Sequence, residues 1–477
     1  MLTGRALTGA VWLVLSRFTG RFIDLFTLVV LARILSPADF GLTALAMTLI
    51  STLDMVLEVP IIQALLRRRS FDDEDLNTGF TLGLIRSLVF VLVILAAAWP
   101  FAQLYDDDRL LPLLMVLSVA PFMRGISNPA MVRFARDLSF RQTFLTEVVG
   151  KVTAFAVAVI IVLSGGGYWA IAANTVMAAV ATVAGTYVIV PYRPRLSLRR
   201  FRQFAGFAGW FSVAQVCAAL NWQLDRILLG RHLDATSFGR YAIASDLSVF
   251  PTQSVVGPAM QAVMAAFSSI NTDPARMRTA FLKAARFVMM VSIPVGVGIA
   301  VTADLVVQIV LGDKWLPAAP ILQVLSLAVL PVAYHQVFAS FSLALDRPAY
   351  LFQISAAECL LRLAAIPAGL WLAAVPGVLG ARLAVAVVMF VVYMAYVRRL
   401  GGIGLRAQLR NLWRVVLAAA AMGAAVTLLR PVVDPVLPGA ILDLAVLALA
   451  GAAVYVAALR ALGIVISPRN RFGLRDG

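Results

Sequence analysis

Three charged side chains share one face of the first long apolar stretch: Arg17, Arg21 and Asp24, spaced by four and three residues. Arginine suits phosphate, because its planar fork donates two parallel hydrogen bonds and keeps its charge. Two arginines a turn apart match a diphosphate held in a dry cavity. The other reading is that Asp24 neutralises Arg21 and the face simply packs. Asp54 and Glu58 are also four apart, and like charges on one face raise one pKa. That suits a proton or sodium site; the competing reading pairs both acids with the arginines at 17 and 21. Glu147 with Lys151, and Glu358 with Arg362, have the acid-before-base order that favours a structural pair within one helix. Arg86 and Arg226 join the candidates for a diphosphate, and Asp225 joins Asp24, Asp54 and Glu58 as a candidate for ion coupling. Arg124, Asp246, Arg286 and Arg382 are further single charges. Asn221 and Asp225 share a helical face that could meet Asp246. Tyr334 and His335 read as hydrogen-bonded packing.

Other chemistries have little to work with. His232 and His335 are the only histidines, and Cys217 and Cys359 both fall inside apolar segments. Two such cysteines make neither a disulfide framework nor a zinc site. No catalytic residue, metal site or bound cofactor is expected, so the chain reads as something other than an enzyme. The only energy source implied is a proton or sodium gradient, or the membrane potential.

The elements that carry these residues are apolar helices. Of the 477 residues, 61% are hydrophobic and only 13% charged. A soluble domain carries about 25% charged residues, so lipid is the solvent this composition suits. A membrane helix needs roughly 20 mostly apolar residues. Such runs are predicted at 8–33, 38–66, 78–101, 110–134, 143–163, 168–190, 205–231, 236–268, 280–311, 317–345, 349–372, 376–397, 411–430 and 440–462. The fold class is therefore all-α, a polytopic membrane protein of about fourteen helices with no soluble domain. A charge at the bilayer centre costs at least ~2.5–3.5 kcal/mol on insertion scales, so the charges above must face a cavity or a partner.

The formal charge of +16 sits in short loops. With the N-terminus inside, the cytoplasm receives Arg67, Arg68, Arg69, Arg133, Arg136, Arg141, Arg193, Arg195, Arg199, Arg200 and Arg202. It also receives Arg276, Arg278, Lys283, Arg286, Arg347, Arg398, Arg399, Arg406, Arg410, Arg469, Arg471 and Arg475. The outside holds Arg33, Arg109, Arg231, Lys314 and Arg430. That asymmetry predicts an even helix number with both termini cytoplasmic. It also suits contact with anionic lipids rather than nucleic acid. The first segment is too long and too charged for a cleaved signal peptide. Pro251, Pro258 and Pro294 fall inside predicted helices, where proline kinks or breaks the ladder and permits bending.

The chain repeats itself. Arg33, Leu35, Phe40, Gly41, Ala44 and Ala46 coincide without a gap with Arg231, Leu233, Phe238, Gly239, Ala242 and Ala244. Each stretch joins one long helix to the next. Ala135-Arg136-Asp137 and Ala344-Leu345-Asp346 precede the helices holding Glu147/Lys151 and Glu358/Arg362. The organisation expected is a six-helix lobe over 1–200, a second over 201–400, and a helix pair with a basic tail over 401–477. Six is even, so the repeat is parallel. Transporters built this way place the substrate between the halves and rock them about it.

Four stretches at these joints resemble signatures of the polysaccharide-transporter branch of the multidrug/oligosaccharidyl-lipid/polysaccharide flippase superfamily. They are Leu35-Ser36-Pro37-Ala38-Asp39-Phe40-Gly41, Asp225-Arg226-Ile227-Leu228-Leu229-Gly230, Phe238-Gly239-Arg240-Tyr241-Ala242 and Leu311-Gly312-Asp313-Lys314-Trp315-Leu316-Pro317. The resemblance covers about residues 1–400. The chain departs from the family's pattern at Asp234, where glycine is common, and near Ala265, where proline is common. The resemblance implies an inner-membrane flippase for undecaprenyl-diphosphate-linked oligosaccharide units, feeding capsule, exopolysaccharide or O-antigen assembly by alternating access. It implies that Arg17 and Arg21 line a cationic cavity and that the lipid tail stays in the bilayer beside the last helix pair. Implied partners are the lipid-linked oligosaccharide, membrane lipids, and a polysaccharide polymerase and glycosyltransferases. A cation-coupled multidrug exporter of the same superfamily is the alternative.

Overall fold

The computed structural model of the chain describes residues 2–58, 61, 65, 71–137, 139–433, 439–466 and 474–476. The basic loop Arg67, Arg68 and Arg69, and Arg469 and Arg471 of the tail, lie outside the described residues. Regular structure is helical, apart from a two-stranded antiparallel ribbon pairing Ile464–Ile466 with Leu474–Asp476.

The first helix, α1, spans Leu2–Ile34 and α2 spans Pro37–Val56. The Leu35-to-Gly41 stretch is a helix start in physical terms. The Ser36 hydroxyl accepts from the Asp39 amide at 3.2 Å, and Asp39 Oδ2 accepts from the Ser36 amide at 3.0 Å. Pro37 follows at a position where its missing N–H costs nothing. Helix α3 spans Asp73–Leu104 and opens on the same device, with Asp72 and Asp75 in place of Ser36 and Asp39. The predicted 110–134 segment is broken into α4 (Leu110–Leu117), α5 (Val119–Gly125), a 3-10 turn at Pro129–Met131 and α6 (Val132–Arg136), with a bend of 51°. Helices α7 (Arg141–Leu163) and α8 (Trp169–Ile189) form a tight hairpin. Then come α9 (Phe201–His232), α10 (Ala235–Ser269), α11 (Pro274–Val301) and α12 (Ala303–Val310). Helices α13 (Ala319–Ala328), α14 (Leu330–Ala344), α15 (Ala349–Gly401), α16 (Leu405–Val433) and α17 (Ala440–Ala461) complete the chain.

Helix α10 runs through Pro251 and Pro258, and α11 through Pro294, without interruption. The break falls elsewhere. Backbone geometry leaves the helix at Ala373 and Ala374, so α15 is two helices folded back to back, as the predicted segments 349–372 and 376–397 require. Gly369 and Gly377 close this hairpin: a Cβ on Gly377 would sit 1.9 Å from the Gly369 carbonyl oxygen.

Among the described residues, nine helices are long and apolar enough to cross a membrane, or ten if the bent pair is one span. Fourteen is not reached by that test. It takes α15 once, and the charge-bearing α1, α9 and α10 are not among those that pass. The chain is a multi-pass membrane protein. Its backbone falls into two compact units, Met1–Ala242 and Ile243–Gly477. The first extends past the expected lobe boundary at 200 because α9 packs along α2.

In the first unit, small residues let helices approach closely, as membrane packing demands. A Cβ on Gly150 of α7 would lie 2.0 Å from Thr182 Oγ1 of α8. The second unit adds bulk to such close approaches. Phe281, Tyr334, Phe338 and Phe341 are fully buried between α11, α14 and α15. Polar ties add α16 to this core: buried Gln408 accepts from the Tyr334 hydroxyl at 2.6 Å and donates to the Ile403 and Met394 carbonyls at 2.7 and 3.0 Å.

Candidate functional site

Helix α1 crosses α7, and its polar face meets the acid–base pair there. Ser16 Oγ donates to Glu147 Oε2 at 2.6 Å, and Lys151 is ion-paired with Asp24. The expected pair within α7 therefore does not form; each member reaches to α1 instead. Gly20 is buried between these contacts, with the Lys151 stem lying 3.5 Å from where its Cβ would be. Ile23, Asp24, Thr27, Glu147, Lys151, Asn174 and Thr182 line a cavity of about 130 Å³. Two carboxylates and one ammonium give this cavity one net negative charge when all are ionised. Arg17 and Arg21, from the same helix, are exposed.

Asp54 and Glu58 take different partners. Arg86 of α3 closes the end of α2: its Nε donates to the Leu57 carbonyl at 2.8 Å, and its Nη2 to the Asp54 carbonyl at 3.0 Å and carboxylate at 2.5 Å. Arg124 of α5 donates to the other Asp54 oxygen at 2.8 Å. Asp54 is thus a carboxylate clamped by two guanidiniums that come from 86 and 124, not from α1. Glu58 accepts from Gln215 Nε2 of α9 at 2.8 Å. The two acids do not share one cation, and Arg86 spends its fork on the end of α2.

Asp225 is buried and accepts from the Tyr241 hydroxyl, across the α9–α10 turn. Arg226 points Nη2 at the Ala242 carbonyl, 3.5 Å away. Two glycines make close backbone approaches nearby. A Cβ on Gly41 would lie 1.8 Å from the Ala235 carbonyl oxygen, and one on Gly239 would lie 2.0 Å from that of Pro37. The start of α2 and the start of α10 cross backbone to backbone, and only glycine permits it. Tyr105 fastens the neighbourhood by donating to the Ile227 carbonyl at 3.0 Å.

In the second unit, Glu358 and Arg362 pair within α15: Arg362 Nε and Nη2 both donate to Glu358 Oε1, at 2.9 and 2.7 Å. This is the pairing that the spacing predicts. Arg430 of α16 is ion-paired with Asp304 of α12. Between α11, α16 and α17 lies an apolar cavity of about 500 Å³, lined by Pro294, Gly298, Met422, Val426, Leu447 and Gly451. Tyr455 borders it, with its hydroxyl donating to the Met290 carbonyl at 2.7 Å.

Residues 30–320, more than half the chain, match the family model described as polysaccharide biosynthesis protein. The chain belongs to this family. Among curated members of the wider group, it is 25% identical to the succinoglycan biosynthesis transport protein ExoT of Rhizobium meliloti, over 66% of this chain and 65% of that one. It thus spans just under two thirds of that relative. It is 23% identical to the lipopolysaccharide biosynthesis protein WzxC of Escherichia coli, over 86% of this chain and 85% of that one. Among solved structures, the lipid II flippase MurJ in an inward closed conformation superposes with a TM-score of 0.74 at 14% identity. That match covers 94% of this chain and 98% of the other. At that identity the likeness speaks for the fold alone.

The spacing of the charges marks them as candidates but leaves several of their partners unmarked. Ser16, Asn174, Thr182 and Gln215 are uncharged, and nothing in their neighbourhoods singles them out. Arg124 was visible as a charge inside an apolar run, but its use on Asp54 depends on the bend between α5 and α6.

Proposed function

We propose that this chain is a flippase for undecaprenyl-diphosphate-linked oligosaccharide units, serving exopolysaccharide, capsule or O-antigen assembly at the bacterial inner membrane. Family membership carries the reading: one relative is named a biosynthesis transport protein, and the fold is that of a lipid II flippase. The arrangement of α1 supports it. Arg17 and Arg21 are exposed on it, while Asp24 is ion-paired with Lys151. Two permanent cations on an exposed face replace hydration for a diphosphate, which cannot cross hydrocarbon unaided. The apolar cavity beside α16 and α17 suits a polyprenyl chain, with no charged group among its lining residues.

In the mechanism this implies, the two six-helix lobes alternate access. The diphosphate and sugars travel through a cationic, water-filled path while the tail stays in lipid. Arg17 and Arg21 bind. Arg86 and Asp54 act as a fixed clamp that keeps the end of α2 in place, with Arg124 completing it. The polar cavity holding Asp24, Glu147 and Lys151 is the place where a proton or sodium ion would exchange with the ammonium. A polymerase and glycosyltransferases are the expected neighbours, and both termini lie in the cytoplasm.

The test is deletion of the gene in its native bacterium, with mass spectrometry of lipid-linked sugars alongside surface polymer. Loss of polymer with accumulation of a diphosphate-linked unit supports the reading, and the mass identifies the sugar. Unchanged glycolipid and polymer, in a strain with no redundant transporter, favours a multidrug exporter instead. Complementation with R17A/R21A is expected to leave less than a tenth of the polymer at normal protein level. Full output from that variant overturns the role given to the two arginines.

A further inference from the structure

The second unit holds a titratable group that the transport reading does not use. His335 lies on α14, next to Tyr334. The two neighbours differ: the Tyr334 hydroxyl donates to Gln408, whereas the Nε2 of His335 is buried with no hydrogen-bond partner among the described protein atoms. A buried polar atom left unmatched costs about 1–3 kcal/mol. Phenylalanine at this position would stack equally well and avoid that cost. The imidazole ring instead lies 4.9 Å from the ring of Tyr393, tilted by 35°. The Tyr393 hydroxyl in turn donates to Glu358 Oε2 at 3.3 Å. Both nitrogens of Arg362 go to the other oxygen, Oε1. Glu358 therefore keeps one oxygen held only by a long bond, and that oxygen is on the side of Tyr393 and His335.

Of the charges on the elements around α14, Glu358 is the one that meets the imidazole. Helix α13 has no titratable residue. Helix α11 brings Arg286, whose Nε donates to Asn411 Oδ1 of α16 at 2.8 Å. From α16 the group that meets α14 is the neutral Gln408. Helix α15 brings Glu358, Arg362 and Tyr393, and Glu358 is the charged group in electrostatic contact with the imidazole.

We propose that His335 is a proton-binding site of the second unit, with Glu358 as its counter-ion and Arg362 as the cation that the proton displaces. A proton from water adds to the free ring nitrogen, forming an N–H bond. The cluster passes from neutral to one net positive charge. Inside a membrane protein that charge needs a partner, and Glu358 is the carboxylate at hand. Its pull toward the imidazolium weakens its hold on Arg362. Histidine is the side chain whose ordinary pKa allows this switch between pH 5 and 8. The proposal stands apart from the flippase reading, because proton binding needs no transported substrate.

The experiment is 15N NMR of the full-length protein, labelled at histidine and held in nanodiscs, titrated from pH 5 to 8. The chain has only two histidines, so H232N leaves a single signal. The expected result is a transition of that signal from neutral imidazole to imidazolium within the range. E358Q is expected to lower the proton affinity about tenfold, one pH unit. R362M is expected to raise it by a similar factor, since Glu358 then serves His335 alone. An imidazole that stays neutral down to pH 5 overturns the proposal, as does a midpoint that E358Q leaves in place. The first of these readings uses the native sequence at all sites in contact with His335.

Discussion

Helices α7 and α8 form one helical hairpin, and the two halves of α15 form another. Each has an acid and a base four residues apart, Glu147 with Lys151 and Glu358 with Arg362. In the second unit the pair closes on itself, with side chains 18% and 17% exposed. In the first it opens outward: Lys151 crosses to Asp24 and Glu147 to Ser16, both on α1. The identity of the base accounts for part of this. Arginine offers a fork that satisfies one carboxylate from within the helix, whereas lysine is a point charge on a flexible stem. The neighbour accounts for the rest, because α1 presents an acid and a hydroxyl at the required heights. Spacing along a helix therefore states what can pair, while the adjoining helix decides what does. One hairpin is a self-contained strut and the other is a clasp on the helix that carries Arg17 and Arg21.

The largest effect should come from breaking the strut on one side only. Removing a single partner of a buried pair costs about 3–5 kcal/mol. R362M is expected to lose stability toward the lower end of that range, read as a fall in thermal unfolding temperature in detergent, and E358Q/R362M to recover most of it. Recovery by a change at any other acid would break the comparison. The clasp is more exposed, with Asp24 at 47%, so K151M should cost less, about 1–2 kcal/mol. Its rescue must come from D24N on another helix and not from E147Q; the double-mutant cycle measures this directly. Polymer output should also fall for K151M at matched protein level, because the clasp sets the position of α1.

The turns of the two hairpins give the smallest effects, of opposite sign. The first uses Gly165 and Gly167 at φ of 82° and 53°. The second places Ala374 at φ 48°, a region where a Cβ is strained. A374G is expected to stabilise by about 1 kcal/mol and G167A to destabilise by about as much. Equal behaviour of the two turns would show that the hairpins are not conformationally distinct.

Much of this architecture was legible from the residues. Phe40-Gly41 and Phe238-Gly239 coincide in sequence, and the structure gives those glycines a use: each makes room for the backbone of the other stretch. Ser36 and Asp39 read as a helix start for reasons local to seven residues. Side-chain partners were much less legible. Asp54 finds Arg86 and Arg124 through helices whose mutual placement no local pattern encodes. Tyr334 met the expectation of hydrogen-bonded packing while His335, one residue on, did not, since which face of α14 meets Gln408 is a property of tertiary packing. The prolines suggested breaks in α10 and α11, yet the helices continue, because neighbours in a membrane protein can satisfy the freed carbonyls.

The crossing of Gly41 and Gly239 has a consequence for how freely the chain can drift. Two positions almost two hundred residues apart share one small volume, so neither can accept even a methyl group unless the other backbone retreats. The two stretches can diverge everywhere except where they lean on each other. There both glycines are fixed, each by the backbone of the other stretch.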